Sequence, residues 1–396
     1  MEYPLPPRLL RWFAVAIALA VTLCGAVIVW APTSWQAYPL WYACCAVLLP
    51  ITASAVLVSI RWRCYEQRRE YVDSWNGGRD RSIAALTERA QRVAEVLAVA
   101  YCTAAGVNHL AQAIGLGSRP LQSHFTAERA APTRYSALAP EAKAYTSEEH
   151  ANRLAGFFQQ LASRMDDSLR ALGPGQHLHT RICHEQLLPD DQVLALWQQV
   201  TDVDWPRGEI VMADGNHGMM WLEEWLDASP PVTYVLSIEV NLFEQPLSGH
   251  AELVTAVLMG MPGTPLNPLL RPLANVHRPI QIVQAEHHLR DVLHCAGVAP
   301  QEEPAPFMWS SQTGADLTQA LRVALYKMGC EWPVSDYHDL DGSLGRANAA
   351  AANLCLIVAS EQARDTCQPQ FLVLNSVSLQ CCVVQPALEP ESETPT

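Results

Sequence analysis

Residues 232–260 read VTYVLSIEVNLFEQPLSGHAELVTAVLMG, and this stretch decides the fold class. Its first part alternates, and the apolar residues that share one face are Val232, Tyr234, Leu236, Ile238, Val240 and Leu242. A period of two predicts a strand over 232–242 whose apolar face is covered more completely than its polar face. The apolar run in the second part predicts a helix over 248–260.

Strand and helix signals alternate on both sides of this stretch, which favours a layered α/β domain over a bundle or a sandwich. Downstream we predict a strand at 280–284, helices at 286–295, 315–328 and 343–364, and a hairpin of strands 371–375 and 379–384. Upstream, an apolar stripe predicts a helix over 149–172, ended by Gly173-Pro174-Gly175. The composition of 81–106 also favours a helix.

The N-terminal region has the composition of a membrane anchor. No charged residue lies between Arg11 and Arg61, and the apolar runs 12–31 and 40–60 are each long enough to cross about 30 Å of hydrocarbon as a helix. Residues 32–39 form the turn between them. A cleaved signal peptide is the alternative, but the first run is long for one and a second span follows at once. We therefore predict a two-helix transmembrane hairpin with a kink at Pro50.

Arginines flank this hairpin on the outside of both spans, at positions 8, 11, 61, 63, 68 and 69. By the positive-inside rule both termini face the cytoplasm, so we expect a multi-pass membrane protein with its large domain on the cytoplasmic side. Its twelve cysteines form no CxxC pair, so we expect neither disulfides nor a structural zinc.

Charge is distributed unevenly along the chain. Residues 82–396 carry 18 Lys and Arg against 35 Asp and Glu, a net charge of −17. Because such a region repels phosphate backbones, we expect no nucleic-acid partner. The predicted organisation is an anchor with its basic flank at 1–70, a helical linker at 71–175, the α/β domain at 176–386, and an acidic, disordered tail at 387–396.

Two groups of histidines and cysteines are candidates for metal sites. His177, His179, Cys183 and His184 lie on or just after a predicted strand, and His287, His288, His294 and Cys295 lie on one predicted helix. The first group lacks an evident third and fourth ligand, and the second exceeds the usual i, i+4 spacing. We therefore expect no metal and no cofactor.

Two segments place a histidine beside a carboxylate in a turn, as enzymes often do. They are DGNHG at 214–218 and DYHDLDG at 336–342, and their weak catalytic candidates are His217, His338 and Asp336. Turn formation and helix capping explain both segments equally well. No GxSxG, Walker or HExxH motif occurs, so no catalytic residue is assigned.

Several segments together resemble a known family. Besides 232–260, they are VHRPI at 276–280, DLDGSLGRANAAAANLCLIVASEQA at 339–363 and QFLVLNSVSLQCCVV at 370–384. With the anchor, this order is similar to the lipase-adaptor family of bacterial type VI secretion, over roughly residues 90–385. The strand, helix and final hairpin are also similar to the thiolase-like fold. Thiolase-type enzymes carry a cysteine nucleophile at a strand-to-helix turn, which the resemblance places at 245–249, where no cysteine occurs.

Three functions follow from these expectations. The resemblance implies a membrane-anchored adaptor or chaperone that binds a type VI effector, a lipase by the family's name, and assists its loading on the secretion spike. The alternative is an acyl-transfer or hydrolytic enzyme on a thiolase-like scaffold, with its site near His217 or His338. A lesser alternative is a toxin immunity protein, although the predicted topology puts the domain on the wrong side for a periplasmic lipase toxin.

Overall fold

The computed structural model describes residues 3–6, 8–30, 32, 34–35, 38–125, 132–139, 146–228, 233–262, 270–301, 303–333 and 335–387. The chain divides into two compact units, Met1–Glu88 and Arg89–Thr396. The predicted boundary at residue 175 falls inside the second unit. The predicted tail lies outside the described residues from 388 onward.

The first unit is helical. Helix α1 spans Leu9–Trp30, and a second long helix begins as α2 (Pro39–Ala43), passes through a π-helical turn (Cys44–Leu48) and continues as α3 (Leu49–Ala90). Both are long and apolar enough to cross a membrane. The second is much longer than the predicted span 40–60. The π turn ends two residues before Pro50, which lacks the N–H that a regular helix would use there. Residues 33, 36 and 37 of the predicted turn and residue 31, the last of the predicted first span, lie outside the described residues.

The second unit is built on one large mixed sheet. Its strands are β1 (Val93–Thr103), β4 (Leu178–Cys183), β5 (Ile210–Ala213), β6 (Tyr234–Asn241), β7 (Leu253–Gly260), β8 (Ala274–His277), β9 (Ile280–Gln281), β10 (Phe307–Ser311), β11 (Tyr337–Asp339), β12 (Gln370–Asn375) and β13 (Leu379–Pro386). Two short strands, β2 (Gln122–His124) and β3 (Thr133–Tyr135), form a separate hairpin.

The order of the strands in the large sheet is the same read from either edge. The order is β11-β10-β12-β13-β8-β1-β7-β6-β4-β5, with β9 added beside β13. Each half therefore places its own strands in the order third, second, fourth, fifth, first. In both halves the second strand is parallel to the third and fourth, and the fifth is antiparallel to its neighbours. The two first strands, β1 and β8, pair antiparallel at the centre. The second unit thus consists of two halves of one topology.

Helices cover both faces of this sheet. They are α4 (Leu110–Gly115), α5 (Ser147–Leu172), α6 (Asp190–Val200), α7 (Trp221–Leu226), α8 (Ala285–Ala296), α9 (Ala315–Lys327), α10 (Leu340–Ser343) and α11 (Ala351–Thr366). Helices α4, α7 and α11 share one apolar core with strands of both halves. On the other face, α5 and α6 pack on the first half, while α8 and α9 pack on the second. The α/β layering predicted from the sequence is confirmed.

Several predicted elements are confirmed. Helix α5 buries every residue of the predicted stripe, namely Leu154, Phe157, Phe158, Leu161, Met165, Leu169 and Leu172. A capping box of Thr146 and Glu149 starts this helix. Helices α8 and α9 and the hairpin of β12 and β13 also lie where the sequence predicts them.

Two predicted helices are wrong, and for the same reason. Within 81–106 the helix ends at Ala90 and Val93–Thr103 is strand β1, while within 248–260 Leu253–Gly260 is strand β7. Both strands lie in the middle of the sheet with neighbours on each edge. A strand that is buried on both faces has no polar alternation, so its apolar run cannot be distinguished from that of a buried helix.

Three further predictions need adjustment. The predicted helix 343–364 is interrupted, because α10 ends at Ser343 and a short 3₁₀ turn, Asn348–Ala350, precedes α11. The predicted strand 280–284 contains only the two residues of β9. Strand β6 is buried along its whole length rather than on one face, since helices cover it from both sides. Val232, the first residue of that predicted strand, lies outside the described residues.

Candidate functional site

The strand-to-helix turn of the first half joins β5 to α7 and has the sequence DGNHGMM, residues 214–220. It includes a 3₁₀ turn at Gly215–His217, and the side chains of Asp214 and His217 are exposed. The segment 245–249, which the resemblance pointed to, connects the antiparallel strands β6 and β7 instead, so that placement is wrong. The turn at 214–220 contains no cysteine, serine or threonine.

The second half holds this turn in place through Gln380 of β13. The Gln380 side chain accepts a hydrogen bond from Met219 N (2.7 Å) and donates one to His217 O (3.0 Å). Between these two residues, Gly218 adopts a φ of +55°, and a Cβ there would lie 2.6 Å from Gln380 Oε1. Only glycine fits this position without strain. The position of His217 therefore depends on a residue 163 positions away.

A cavity of about 340 Å³ opens beside the turn. Its lining includes two imidazoles (His179 and His217), two carboxylates (Asp214 and Glu224) and two indoles (Trp221 and Trp225). Strand β4 contributes His179 and Arg181, strand β5 contributes Val211 and Ala213, and strand β6 contributes Val235. Titratable groups that converge on one preformed cavity mark a candidate active site.

Arg181 forms part of the cavity wall, although its charge is already engaged. Its Nη1 lies 2.9 Å from Glu239 Oε1 and donates to Ser237 Oγ at 2.7 Å. Its guanidinium carbon sits 4.4 Å from the centre of the Trp221 ring. Burial raises the pKa of Glu239, and the neighbouring Arg181 opposes this rise. These contacts turn the polar side of β6 into a buried network.

The Trp221 ring has one polar atom that this network does not use. Trp221 is 8% exposed. Its buried Nε1 finds no hydrogen-bond partner within the described part of the chain. A buried N–H without a partner is uncommon in folded proteins.

Cys183, at the end of β4, lies beside the turn, as does Cys382 of β13, whose Sγ is 3.8 Å from Met219 Sδ. The Cys183 Sγ lies 3.2 Å from the place that a Cβ on Gly215 would occupy, and its thiol points to Ala349 O at 3.5 Å. Burial raises the pKa of the Cys183 thiol to about 12, and the charge of Glu239 adds to this rise. Because the thiolate is the nucleophilic form, Cys183 is not an activated nucleophile.

The corresponding edge of the second half contains strained backbone. Gln312 and Asn348 adopt φ angles of +59° and +38°, and Gln312 Nε2 donates to Asn348 O at 3.2 Å. Asp341 accepts from Gln312 N (2.8 Å) and from Ser311 Oγ (2.9 Å), which fixes the first of these residues. Non-glycine residues at positive φ cluster at functional sites. No sequence signal marked either position.

The other two predicted candidates do not join His217. His338 Nε2 lies 2.8 Å from Ser343 Oγ, and burial lowers the pKa of His338. Asp336 lines a different cavity, of about 580 Å³, between α9, strand β10 and the residues that precede β11. Neither residue is among the described residues that line the 340 Å³ cavity. Of the predicted catalytic candidates only His217 lies at the candidate site, beside Asp214 of the same segment, and the sequence did not mark Arg181, Trp221, Glu224 or Gln380.

Two of the histidines considered as metal ligands lie beside carboxylates instead. His184 Nε2 lies 2.9 Å from Asp190 Oδ1, and His287 Nδ1 lies 3.4 Å from Asp291 Oδ2. His179 lines the cavity. Across the described ranges, no group of three or more His, Cys, Asp or Glu side chains is arranged to hold a metal ion.

Solved structures show what this architecture is similar to. A ketosynthase from module 1 of the bacillaene synthase of Bacillus amyloliquefaciens FZB42 matches with a TM-score of 0.52 and 10% identity, over 75% of this chain and 76% of that one. The oxazolomycin ketosynthase domain OzmH KS7 of Streptomyces albus JA3453 matches with a TM-score of 0.51 and 12% identity, over 77% and 76%.

The chain has the thiolase-like fold. This confirms the fold resemblance inferred from the sequence. No family model matches the chain, and no curated protein matches it. The similarity to type VI lipase adaptors therefore gains no support from these comparisons. At 9% to 12% identity the solved structures show a shared fold and not a shared activity.

Proposed function

We propose that the protein transfers or hydrolyses acyl groups at the cavity beside His217. The observation that carries this proposal is the convergence of His217, His179, Asp214 and Glu224 on one cavity at the strand-to-helix turn. The fold agrees with it, since the similar solved structures named above are ketosynthases, which handle acyl groups.

The chemistry proceeds by direct attack, because the turn at 214–220 offers no cysteine, serine or threonine for a covalent acyl intermediate. His217 accepts a proton from water or from an acceptor hydroxyl as the oxygen bonds to the acyl carbonyl carbon. The bond from that carbon to the leaving sulfur or oxygen then breaks, and the leaving group takes the proton from His217. Water yields a carboxylic acid, and another acceptor yields the transferred ester.

The test is turnover of a small acyl thioester, S-acetyl-N-acetylcysteamine, by the full chain purified in detergent. His217→Ala should lower kcat/KM by about 10²- to 10⁴-fold, the usual contribution of a general base. His287→Ala is the matched control, because the His287 side chain is 68% exposed and lies on α8. Equal loss in both variants, or no turnover by the unaltered chain, would refute the proposal.

A second candidate function is the membrane-anchored adaptor that binds an effector of type VI secretion. One observation favours it: the strand-to-helix turn lacks a nucleophile, and the pKa of the adjacent Cys183 is raised to about 12. Both features are expected of a thiolase-like scaffold that no longer catalyses a reaction. The partners of the adaptor would be the effector, a lipase in the family it resembles, and the secretion spike. The full chain should capture a type VI effector from native membranes, and His217→Ala should leave this capture unaffected. This experiment tests the adaptor function.

Both functions include an inner-membrane anchor with the second unit in the cytoplasm. The two apolar helices and the arginines outside them support this topology. A reporter fused after Thr396 should be active in the cytoplasm, and one inserted at Ser34 should be active in the periplasm. A periplasmic C terminus would overturn this localisation and would favour the immunity function.

A further inference from the structure

The charges around the 340 Å³ cavity bear on which acyl donor it accepts. Asp214 and Glu224 both line it, and both are exposed in this part of the chain. Arg181 is the one Lys or Arg among the described lining residues, and Glu239 already compensates its charge at 2.9 Å. The opening of the cavity therefore carries negative charge.

The aromatic residues of the lining also favour a cationic ligand. An indole face attracts cations through its quadrupole, and Trp221 already holds the Arg181 guanidinium at 4.4 Å in this way. Trp225 adds a second indole to the wall. Proteins recognise quaternary ammonium groups with aromatic side chains, but Trp225 is 6% and Trp221 8% exposed, so the carboxylates supply most of the attraction here.

The volume of the cavity limits the size of the acyl donor, and the net charge of the whole region limits the charge of its carrier. A volume of about 340 Å³ lies at the lower end of small-molecule sites, so the donor is small or enters only in part. Residues 82–396 carry a net charge of −17, which repels an anionic carrier before it reaches the cavity.

We infer that the cavity selects an acyl donor whose leaving group carries an ammonium cation, and that it discriminates against donors on anionic carriers. This inference rests on the proposed function for the acyl group itself. The ammonium lies near Glu224 and the indoles, while the carbonyl faces His217.

Three thioesters of the same acetyl group separate the effect of charge from that of the reaction. Acetylthiocholine is cationic, S-acetyl-N-acetylcysteamine is neutral and S-acetyl-3-mercaptopropionate is anionic. With the full chain in detergent at low salt, kcat/KM should fall in that order, with at least about a tenfold difference between the first and the last. Raising the ionic strength should reduce the difference.

A pair of neighbouring variants locates the charge. Glu224→Gln should move the ratio of cationic to anionic turnover toward one. Glu223→Gln makes the same change of charge one residue away, at a side chain that lies 3.5 Å from Arg278 and is not among the described lining residues. It should leave the ratio at the value of the unaltered chain. Equal ratios in the two variants would overturn the assignment.

Binding gives a readout that does not depend on turnover. Choline should bind more tightly than its uncharged isostere 3,3-dimethylbutanol in ligand-observed NMR, and Glu224→Gln should abolish the difference. Turnover without a charge preference would overturn this inference and leave the proposed function standing. Choline selectivity without turnover of any thioester would refute the proposed function and keep the cation site. If the chain showed no turnover and no choline selectivity, the proposed function and this inference would both be refuted.

Discussion

At the scale of single residues, contacts between distant parts of the chain determine the candidate site. His217 could be singled out from sequence because a histidine in a glycine-rich turn is visible locally. Arg181 and Gln380 could not, since each reaches the site from another strand of the sheet, while Trp221 directly follows the turn but depends on Arg181 of β4 for its contact. No local pattern records which strands become neighbours.

Gly218 is the residue that best tests the geometry of the turn. Gly218→Ala should lower the free energy of unfolding by about 1 to 3 kcal/mol, because φ is +55° and the new Cβ would meet Gln380 Oε1. Gly156→Ala is the control, at a helical position of α5 with nothing within 4 Å of the new atom. There alanine should stabilise the chain by up to about 1 kcal/mol. Thermal unfolding of the two variants should shift in opposite directions, and a Gly218→Ala variant as stable as the unaltered chain would contradict the geometry.

Glu185 should make stability depend on pH. Burial raises its pKa from an ordinary value of 4.5 to about 8, while its Oε1 accepts a hydrogen bond from Leu242 N at 2.9 Å. Between these two pH values the folded chain retains a proton that the unfolded chain releases, so the free energy of unfolding falls as the pH rises. Glu185→Gln imitates the protonated acid and should raise the melting temperature at pH 8 but hardly at pH 5.

Glu209→Gln is the control for this pH effect, because the Glu209 side chain is 71% exposed. Its melting temperature should follow that of the unaltered chain throughout. If Glu185→Gln gave the same shift at both pH values, packing rather than the trapped proton would explain it.

At the scale of elements, the sequence identified the helices that have one solvent-exposed face and missed the strands that are buried on both faces. Helix α5 shows a clear stripe because its outer face is polar. Strands β1 and β7 lie between two helical layers, so their apolar runs carry no period that tells strand from helix. Which elements become neighbours is decided by contacts far along the chain, such as the hydrogen bond from Tyr101 Oη of β1 to Glu361 Oε1 of α11.

Helix α11 is attached to β6 through Asn353. The Asn353 backbone N–H donates to Glu239 Oε2 (2.8 Å), its Nδ2 donates to Ser237 O (2.9 Å), and its Oδ1 accepts from Ser237 Oγ (2.8 Å). Asn353→Ala should lower the free energy of unfolding by about 1 to 3 kcal/mol, since the buried Ser237 groups lose their partner.

Ser360 on the same helix is the matched control for Asn353. Its hydroxyl is fully buried and finds no hydrogen-bond partner within the described residues. Removing an unsatisfied buried hydroxyl relieves its desolvation cost, so Ser360→Ala should be neutral or stabilising. Denaturant unfolding distinguishes the two, and equal losses of stability would mean that packing, not hydrogen bonding, attaches the helix.

At the scale of the whole molecule, the fold class and the fold resemblance could be predicted, but the repetition of the topology could not. The two halves share their strand order, while their central helices differ from six residues in α7 to sixteen in α11. Length differences of this size hide a repeat from a search of the sequence alone.

The second unit should fold without the first. We expect residues 82–386, made alone, to be a folded domain that binds no nucleic acid, because its cores lie within Arg89–Thr396 and its net charge is strongly negative. Circular dichroism and gel filtration check the fold. A DNA mobility-shift assay at low salt checks that the domain binds no nucleic acid. An unfolded fragment would show that the apolar helices contribute to folding, and a shifted DNA band would disprove the charge argument.

The central position of β1 has a consequence for the order of events during synthesis. Its partners β7 and β8 begin at Leu253 and Ala274, whereas β1 ends at Thr103. At common translation rates of about 5 to 20 residues per second, this apolar strand waits roughly 8 to 30 s for its first neighbour. For that time its edges can pair with any other exposed strand, including one on another nascent chain. The yield of folded protein should therefore depend on holdase chaperones and on the speed of elongation between β1 and β7.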